Sequence, residues 1–248
     1  MKIAVISDIH GNMDALNAVI EDIKSQDCED IYALGDYVMA GPEPDIVIDW
    51  FIKKSSSPHF TLIQGNTDFM VANYNEELYE MLKDKAPVMA EALKDDVKVL
   101  NPYQKEFLKN LPIQLETEVE GVKFLLCHGS PRKNNEDILP DTPMEKVEEM
   151  LKNVDASVVF CGHTHIPCGF QTSKKQTVIN AGSVGRPFTE GRPEACWLKL
   201  TVADGKCVFE HRFVRYDNIK ASETLKKRGF NGAEKLAQTL INPKERHF

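Results

Sequence analysis

The sequence predicts an α/β fold, and two features predict it. Short apolar runs rich in β-branched residues recur along the 248 residues, and each is followed at once by Gly together with Asp, Asn or His. Amphipathic helical patterns lie between several of these runs. Four or five apolar residues bounded by Gly read as a strand buried on both faces. Strands alternating with helices give an α/β architecture.

The elements follow in order. Lys2 to Ile6 is the first strand and runs into Asp8 and His10. Asp14 can cap a helix whose stripe is Leu16, Val19, Ile20 and Ile23, the spacing of one helical face. Ile31 to Leu34 leads into Gly35-Asp36, and Pro44 opens a helix through about Lys53. Phe60 to Ile63 leads into Gly65-Asn66. A helical insertion over about residues 69–112 follows, read equally as a cap over a site or as a structural insert. Lys123 to Cys127 leads into His128-Gly129. Thr142-Pro143-Met144-Glu145 reads as a capping box before Val147, Met150 and Leu151. Ser157 to Cys161 leads into Gly162-His163-Thr164-His165, and Thr177 to Ile179 into Asn180-Ala181-Gly182-Ser183.

The pattern then changes. Trp197 to Val202 and Lys206 to Tyr216 flank Asp204-Gly205, a hairpin signal that predicts an antiparallel section. A helical C-terminal tail over about residues 219–248 holds two amphipathic stretches divided by Gly229-Phe230-Asn231-Gly232. No repeat or linker divides the chain, which reads as a single domain over 1–248.

Bulk properties narrow the function classes. Hydrophobic residues at 42% and charged residues at 27% exclude a disordered or fibrous chain. A net charge of -8 repels phosphate backbones, so no broad nucleic-acid surface is expected. A small phosphate-bearing substrate remains compatible, because a metal ion inverts the local field. The six cysteines form no C-x-x-C pair and read as reduced thiols of a cytoplasmic protein. The first apolar run is interrupted by Asp8 and too short for a signal segment, and no run is long enough for a membrane span. The oligomeric state is open, with a homo-oligomer compatible.

The polar residues stand where the strands end, which is where open α/β sheets bind ligands. Asp8, His10, Asp36, Asn66, His128, His163 and His165 are carboxylate, amide and imidazole donors without thiolate. Such a mixed N/O set suits Mn, Fe, Zn, Ni or Co better than a Cys-rich zinc site does. Seven donors exceed what one ion needs, and a bridging carboxylate makes a pair of ions the natural solution. Taken singly, Asp8-x-His10, Gly35-Asp36, Gly65-Asn66 and His128-Gly129 are ordinary turns; their joint order behind strands carries the reading.

That order resembles the five blocks of the calcineurin-like metallophosphoesterases: Asp8-x-His10, Gly35-Asp36, Gly65-Asn66-x-Asp68, His128-Gly129 and Gly162-His163-x-His165, over about residues 1–185. The resemblance implies a two-sheet β-sandwich flanked by helices and two divalent transition metal ions, Mn first. It implies that Asp8, His10, Asp36 and His165 hold one ion, that Asp36, Asn66, His128 and His163 hold the other, and that Asp36 bridges. Two ions lower the pKa of a shared water and neutralise charge at phosphorus, which makes Asp36, Asn66 and His128 the expected catalytic set.

The sequence departs from the family at one position. Many members have His where Thr67 stands, and that His helps to protonate the leaving group. General acid catalysis is typically worth 10²–10⁴-fold, so Thr67 shifts the expectation toward phosphodiesters or phosphoanhydrides of a small, nucleotide-like substrate. Asp68 then reads as a support for the ligands. His128-Gly129-Ser130-Pro131-Arg132 and Asn180-Ala181-Gly182-Ser183-Val184-Gly185 resemble the smaller bacterial and archaeal phosphodiesterase branch. Arg132 or Arg186 can clamp a second phosphate or be a structural arginine. Tyr37 either lines the site or packs. His59, His211 and His247 read as ordinary surface or packing residues. The alternatives are a phosphomonoesterase, including a phosphoprotein phosphatase, and a non-catalytic protein-binding scaffold. Leaving-group preference separates the first from the leading reading, and metal binding separates the second.

Overall fold

The computed structural model describes residues 1–244. Its first half runs β1 (Lys2–Ile6), α1 (Met13–Ser25), β2 (Asp30–Ala33), α2 (Pro44–Lys54), β3 (Phe60–Leu62), α3 (Asn66–Ala72), α4 (Glu76–Lys85), α5 (Pro87–Val99) and α6 (Pro102–Asn110). The second half runs β4 (Gln114–Val119), β5 (Val122–Cys127), α7 (Met144–Met150), β6 (Val158–Cys161), β7 (Cys168–Gln171), β8 (Thr177–Asn180), β9 (Ala195–Ala203), β10 (Lys206–Val214), α8 (Asn218–Lys227) and α9 (Ala233–Ile241).

Two five-stranded sheets form, in the orders β10-β9-β1-β2-β3 and β4-β5-β6-β8-β7. Their facing sides share one core. Side-chain parity along each strand builds the layers, because successive residues point to opposite faces. Ile3 and Val5 of β1, Phe124 and Leu126 of β5, and Val158 and Phe160 of β6 meet between the sheets. Ala4 and Ile6 turn the other way, onto Leu16, Val19 and Ile23 of α1. Leu125, Cys127, Val159 and Cys161 turn outward beneath Val147 and Met150 of α7. Every face of these central strands is therefore covered, which is why they are apolar without alternation. The result is the two-sheet sandwich flanked by helices.

β1, β2 and β3 pair in parallel, as do β5, β6 and β8. The hairpin at Asp204-Gly205 forms, with Lys206 opposite Ala203, and β9 pairs antiparallel with β1. Two strands carried no strand signal of their own. β4 and β7 are edge strands that alternate between partly buried and exposed residues, so neither has a continuous apolar run.

Two expected caps are corrected. Asn12 caps α1, its side chain accepting from the Ala15 N–H at 3.1 Å, and Asp14 lies inside the first turn. Thr142 forms no capping box: its hydroxyl accepts from the Leu139 N–H at 2.8 Å, and Pro143 stands at the cap of α7 without a side-chain bond. At Thr142 a neighbouring turn takes the hydroxyl, and Asp14 accepts instead from Lys220 Nζ at 2.6 Å.

The segment from α3 to α6 does two things. Leu93 and Leu108 are fully buried in the core beneath the first sheet. Phe69, Ala86 and Met89 line clefts at the sheet ends. The described part of the tail buries Ala221, Leu225, Leu236, Ala237 and Leu240 on the same core. His247 lies outside the described residues. No described helix is long and apolar enough to cross a membrane.

Candidate metal centre

Five of the seven expected donors sit on unusual backbone. Asp8, His10, Asp36, His163 and His165 have φ of 56°, 46°, 54°, 65° and 62°. The left-handed region is uncommon for residues with a side chain, and Asp and His enter it more readily than most. Each lies where the chain leaves β1, β2 or β6. The sharp turn aims consecutive donors into one space, and the surrounding structure holds the strain.

Two glycines make that space possible. A Cβ on Gly65 would stand 2.1 Å from Asp36 Oδ1, and one on Gly162 would stand 2.6 Å from Asp8 Oδ2. Any side chain there would occupy the position of a carboxylate.

The carboxylates and imidazoles converge. Asp8 Oδ1 lies 3.2 Å from His165 Nε2, 3.8 Å from His10 Nε2 and 3.9 Å from His128 Nε2. Asp36 Oδ2 lies 3.3 Å from His128 Nε2 and 3.7 Å from His10 Nε2. Asn66 Oδ1 lies 3.1 Å from His128 Nε2. The donors fall into two overlapping groups, Asp8 with His10 and His165, and Asp8 with Asp36 and His128. Both carboxylates thus stand between the two sets of imidazoles.

Each ring is oriented by a distant backbone carbonyl. His10 Nδ1 donates to Met39 at 2.8 Å, His128 Nδ1 to Leu34 at 2.8 Å, and His165 Nδ1 to Arg186 at 2.5 Å. A carbonyl can only accept, so each Nδ1 carries a proton and each Nε2 faces inward. Phe188 stacks on His165, with ring centroids 4.5 Å apart and planes 9° from parallel. His10 Nε2 and His165 Nε2 then approach to 3.1 Å. Two lone pairs at that distance repel unless a cation or a proton lies between them. Asp8 Oδ1 is buried without a hydrogen-bond partner. The residues fit divalent metal ions: imidazole Nε2 and carboxylate donors converge, the second ring nitrogen is fixed, and a buried oxygen lacks a donor.

The electrostatics agree. Burial opposes ionisation of Asp8, but the rings of His165, His128 and His10 outweigh it and hold the carboxyl far below its ordinary range. Burial likewise opposes ionisation of Asp36, and His128 brings it down to about 2. Burial and the neighbouring His165 push His10 down to about 3. Burial also works against a charged His128, yet Asp36 and Asp8 pull it up to about 9. The cluster draws positive charge inward.

Around the donors lies a supporting set. Asp68 is fully buried beneath the Asp36 turn. Its Oδ2 accepts from the Asp36 N–H at 2.8 Å and the Gly65 N–H at 2.9 Å, and its Oδ1 from the Tyr37 N–H at 2.9 Å. Burial and the charge on Asp36 push this carboxyl up to about 7, while those N–H donors pull against them. Because these contacts, and a longer one from the Val38 N–H at 3.4 Å, all donate to it, we assign the ionised form. Thr67 donates its hydroxyl to the Val38 carbonyl at 3.1 Å, and its N–H to Asp36 Oδ1 at 2.8 Å. Tyr37 packs: it is fully buried, with its hydroxyl against the carbonyls of Ala33 and Ile63.

The remaining expected residues spread out. His163 gives its N–H to Asp8 Oδ2 at 2.9 Å, and its Nε2 lies 3.3 Å from Asp137 Oδ1. Arg186 is buried and lines the cleft of about 450 Å³ with His10, Asp36, Asn66, Thr67 and His165. Arg132 is paired with Glu136 and Glu149 and lines a different cleft. His59 pairs with Asp30 at the surface, and His211 lies 2.7 Å from the Asn180 carbonyl.

Several supports gave little signal in the sequence. Asn180 donates to the Gly162 carbonyl at 2.6 Å, and Ser183 donates to the Asp8 carbonyl at 2.9 Å. The Asn180-Ala181-Gly182-Ser183 run is their visible trace. Asp96, on α5, accepts from the Met39 N–H at 2.6 Å and so steadies the carbonyl that orients His10. Asp137, Asp96 and Phe188 lie in segments with no motif.

A model of the calcineurin-like phosphoesterase superfamily domain matches residues 1–203. The chain belongs to this superfamily. Its members depend on divalent metal ions, in agreement with the donor groups. An uncharacterized protein of Methanocaldococcus jannaschii is 29% identical over 243 residues, 91% of this chain and 89% of its own. A hypothetical protein of Pyrococcus horikoshii has a similar structure, with TM-score 0.86, 23% identity and 99% of each chain covered. So has a metallophosphoesterase of Sphaerobacter thermophilus, with TM-score 0.77 and 24% identity over 98% of this chain and 99% of that one. These two structures establish the likeness of fold alone. In this calcineurin-like phosphoesterase, Thr67 lines the cleft beside Asn66.

Proposed function

We propose that the chain is a metal-dependent phosphoesterase that hydrolyses phosphodiester or phosphoanhydride bonds of a small, nucleotide-like substrate. One observation carries the reading: three imidazoles, each with Nδ1 committed to a backbone carbonyl, turn Nε2 onto the buried carboxylates of Asp8 and Asp36. Asp8, His10, Asp36 and His165 would hold one ion, and Asp36, Asn66, His128 and His163 the other. A bound pair of divalent cations supplies acidified water and neutralises charge at phosphorus.

The chain's own residues do the rest. Asp68 fixes the turn that presents Asp36. Arg186 lines the cleft and offers a guanidinium to phosphate oxygens. The Thr67 hydroxyl is engaged with Val38 and is not an acid near neutral pH, so a leaving group that departs without protonation is favoured.

The test is a substrate panel with added Mn²⁺, containing an aryl phosphodiester, an aryl phosphomonoester, cyclic nucleotides and dinucleoside polyphosphates. The expected result is diester or anhydride cleavage that Asp36→Asn abolishes. Hydrolysis that persists in Asp36→Asn, or a chain that binds no Mn, Fe, Zn or Ni and cleaves nothing, refutes it.

A further inference from the structure

A second cavity opens beside the cleft. Its volume is about 560 Å³, within the range of small-molecule sites. It shares Asn66 and His163 with the cleft, so the two spaces are continuous at two of the proposed metal ligands.

The cavity wall has a different chemistry from the cleft. Phe69, Met70 and Met81 supply apolar lining, Asn134 and Asn135 supply amides, and Lys85 and Asp137 also line it. Phe69 and Met81 are 45% and 53% exposed. What sets this ring and thioether apart from other exposed apolar side chains is that they line one cavity that shares Asn66 and His163 with the cleft. Phe69 also has a fixed relation to the cleft. It follows Asn66 by three residues on α3, so both side chains lie on one helix face, with Cβ atoms about 5–6 Å apart. Phe69 and the shared Asn66 and His163 line the same cavity.

We propose that this cavity binds the planar aromatic group of the substrate, stacked against Phe69 between Met70 and Met81, with the amides of Asn134 and Asn135 facing its polar edge. The inference rests on the phosphoesterase reading and adds a specificity site to it. Aromatic rings stack in offset or edge contact, methionine sulfur favours ring edges, and amides both donate and accept. A nucleobase satisfies all three; a simple aryl group satisfies the first two.

The experiment is calorimetric titration of the full chain with Mn²⁺ present, using adenosine 5′-monophosphate, ribose 5-phosphate and phenyl phosphate as product-type probes. Adenosine 5′-monophosphate is expected to bind at least tenfold more tightly than ribose 5-phosphate, and Phe69→Ala and Met81→Glu are each expected to erase that preference. Both side chains are exposed, and unchanged unfolding midpoints verify that the variants fold. Equal binding of the two probes, or a preference that survives in both variants, overturns the inference. Phenyl phosphate binding as tightly as the nucleotide supports ring stacking as the recognised feature; weaker binding supports the base edge at Asn134 and Asn135. Equal binding of the two probes by the parent chain, with Asp36-dependent hydrolysis intact, sinks this inference alone. Preserved nucleotide binding with no hydrolysis sinks the phosphoesterase reading alone.

Discussion

Replacing Asp68 by Asn changes one atom of the carboxylate that gathers the Asp36 turn. Three backbone N–H groups point at that carboxylate from within 2.9 Å. The amide keeps one acceptor oxygen. Its better orientation leaves that oxygen facing Asp36 and Gly65 and turns the NH₂ group toward the Tyr37 N–H. One charge-assisted bond is lost, and a buried donor is left facing another donor. A bond to a charged group contributes about 1.5–3 kcal/mol, and an orphaned buried donor costs about 1–3 kcal/mol. The two overlap, so the expected loss is about 2–4 kcal/mol. At roughly 2–4 °C per kcal/mol for a chain of this size, the midpoint falls by about 5–15 °C. Asp36 would also lose its anchor, and removing such support typically costs 10–100-fold in metal affinity. Thermal unfolding and calorimetric Mn²⁺ titration measure both effects. A variant within about 0.5 kcal/mol of the parent, with unchanged Mn²⁺ affinity, would refute the argument that Asp68 is an ionised positioning group.

Other expectations follow from the same geometry. Gly162→Ala places a methyl group 2.0 Å from Ser7 Oγ and 2.6 Å from Asp8 Oδ2, so Mn²⁺ affinity should fall at least tenfold; a titration indistinguishable from the parent would show that the turn can yield. Thr67→His should raise turnover of alkyl esters by up to about 10²-fold and that of nitrophenyl esters much less, and an equal change on both leaving groups would remove the missing-acid account. Asp22 is held below its ordinary carboxyl range by its bonds to Arg212, against partial burial and with help from Trp197. A lowered folded-state pKa adds stability above the ordinary carboxylate pKa and loses it as pH falls through the lowered value. Allowing for partial exposure, Asp22→Asn should cost about 1 kcal/mol near pH 7. The gap should close below about pH 4; a gap that is constant down to pH 2 would count against this sign.

The candidate donors Asp8, His10, His128, His163 and His165 were readable because each follows a strand that announces itself. β1, β5, β6 and β8 are buried on both faces, so their runs are apolar throughout, and the first polar residue after each run marks the sheet end. Edge strands β4 and β7 have one wet face and gave no such run. Asn12 caps α1 while Asp14 pairs with the distant Lys220, and Thr142 is taken by the turn at Leu139, so which polar side chain caps was not a local property. Arg132 and Arg186 look alike in sequence. One pairs with Glu136 and Glu149, and the other is buried in the cleft.

By itself, the sequence determined the α/β class and marked seven candidate donors, because hydrophobic period and residue chemistry are local properties. It also singled out Thr67, which lines the cleft. The tertiary structure decided what the donors do together. Met39, Leu34 and Arg186 set the direction of His10, His128 and His165 through backbone carbonyls 29, 94 and 21 residues away. Every residue carries such a carbonyl, so no side-chain pattern can reveal which one a ring will meet. Asp68 became the anchor of Asp36, and Phe69 reached the mouth of a second cavity, through the same kind of meeting between distant segments.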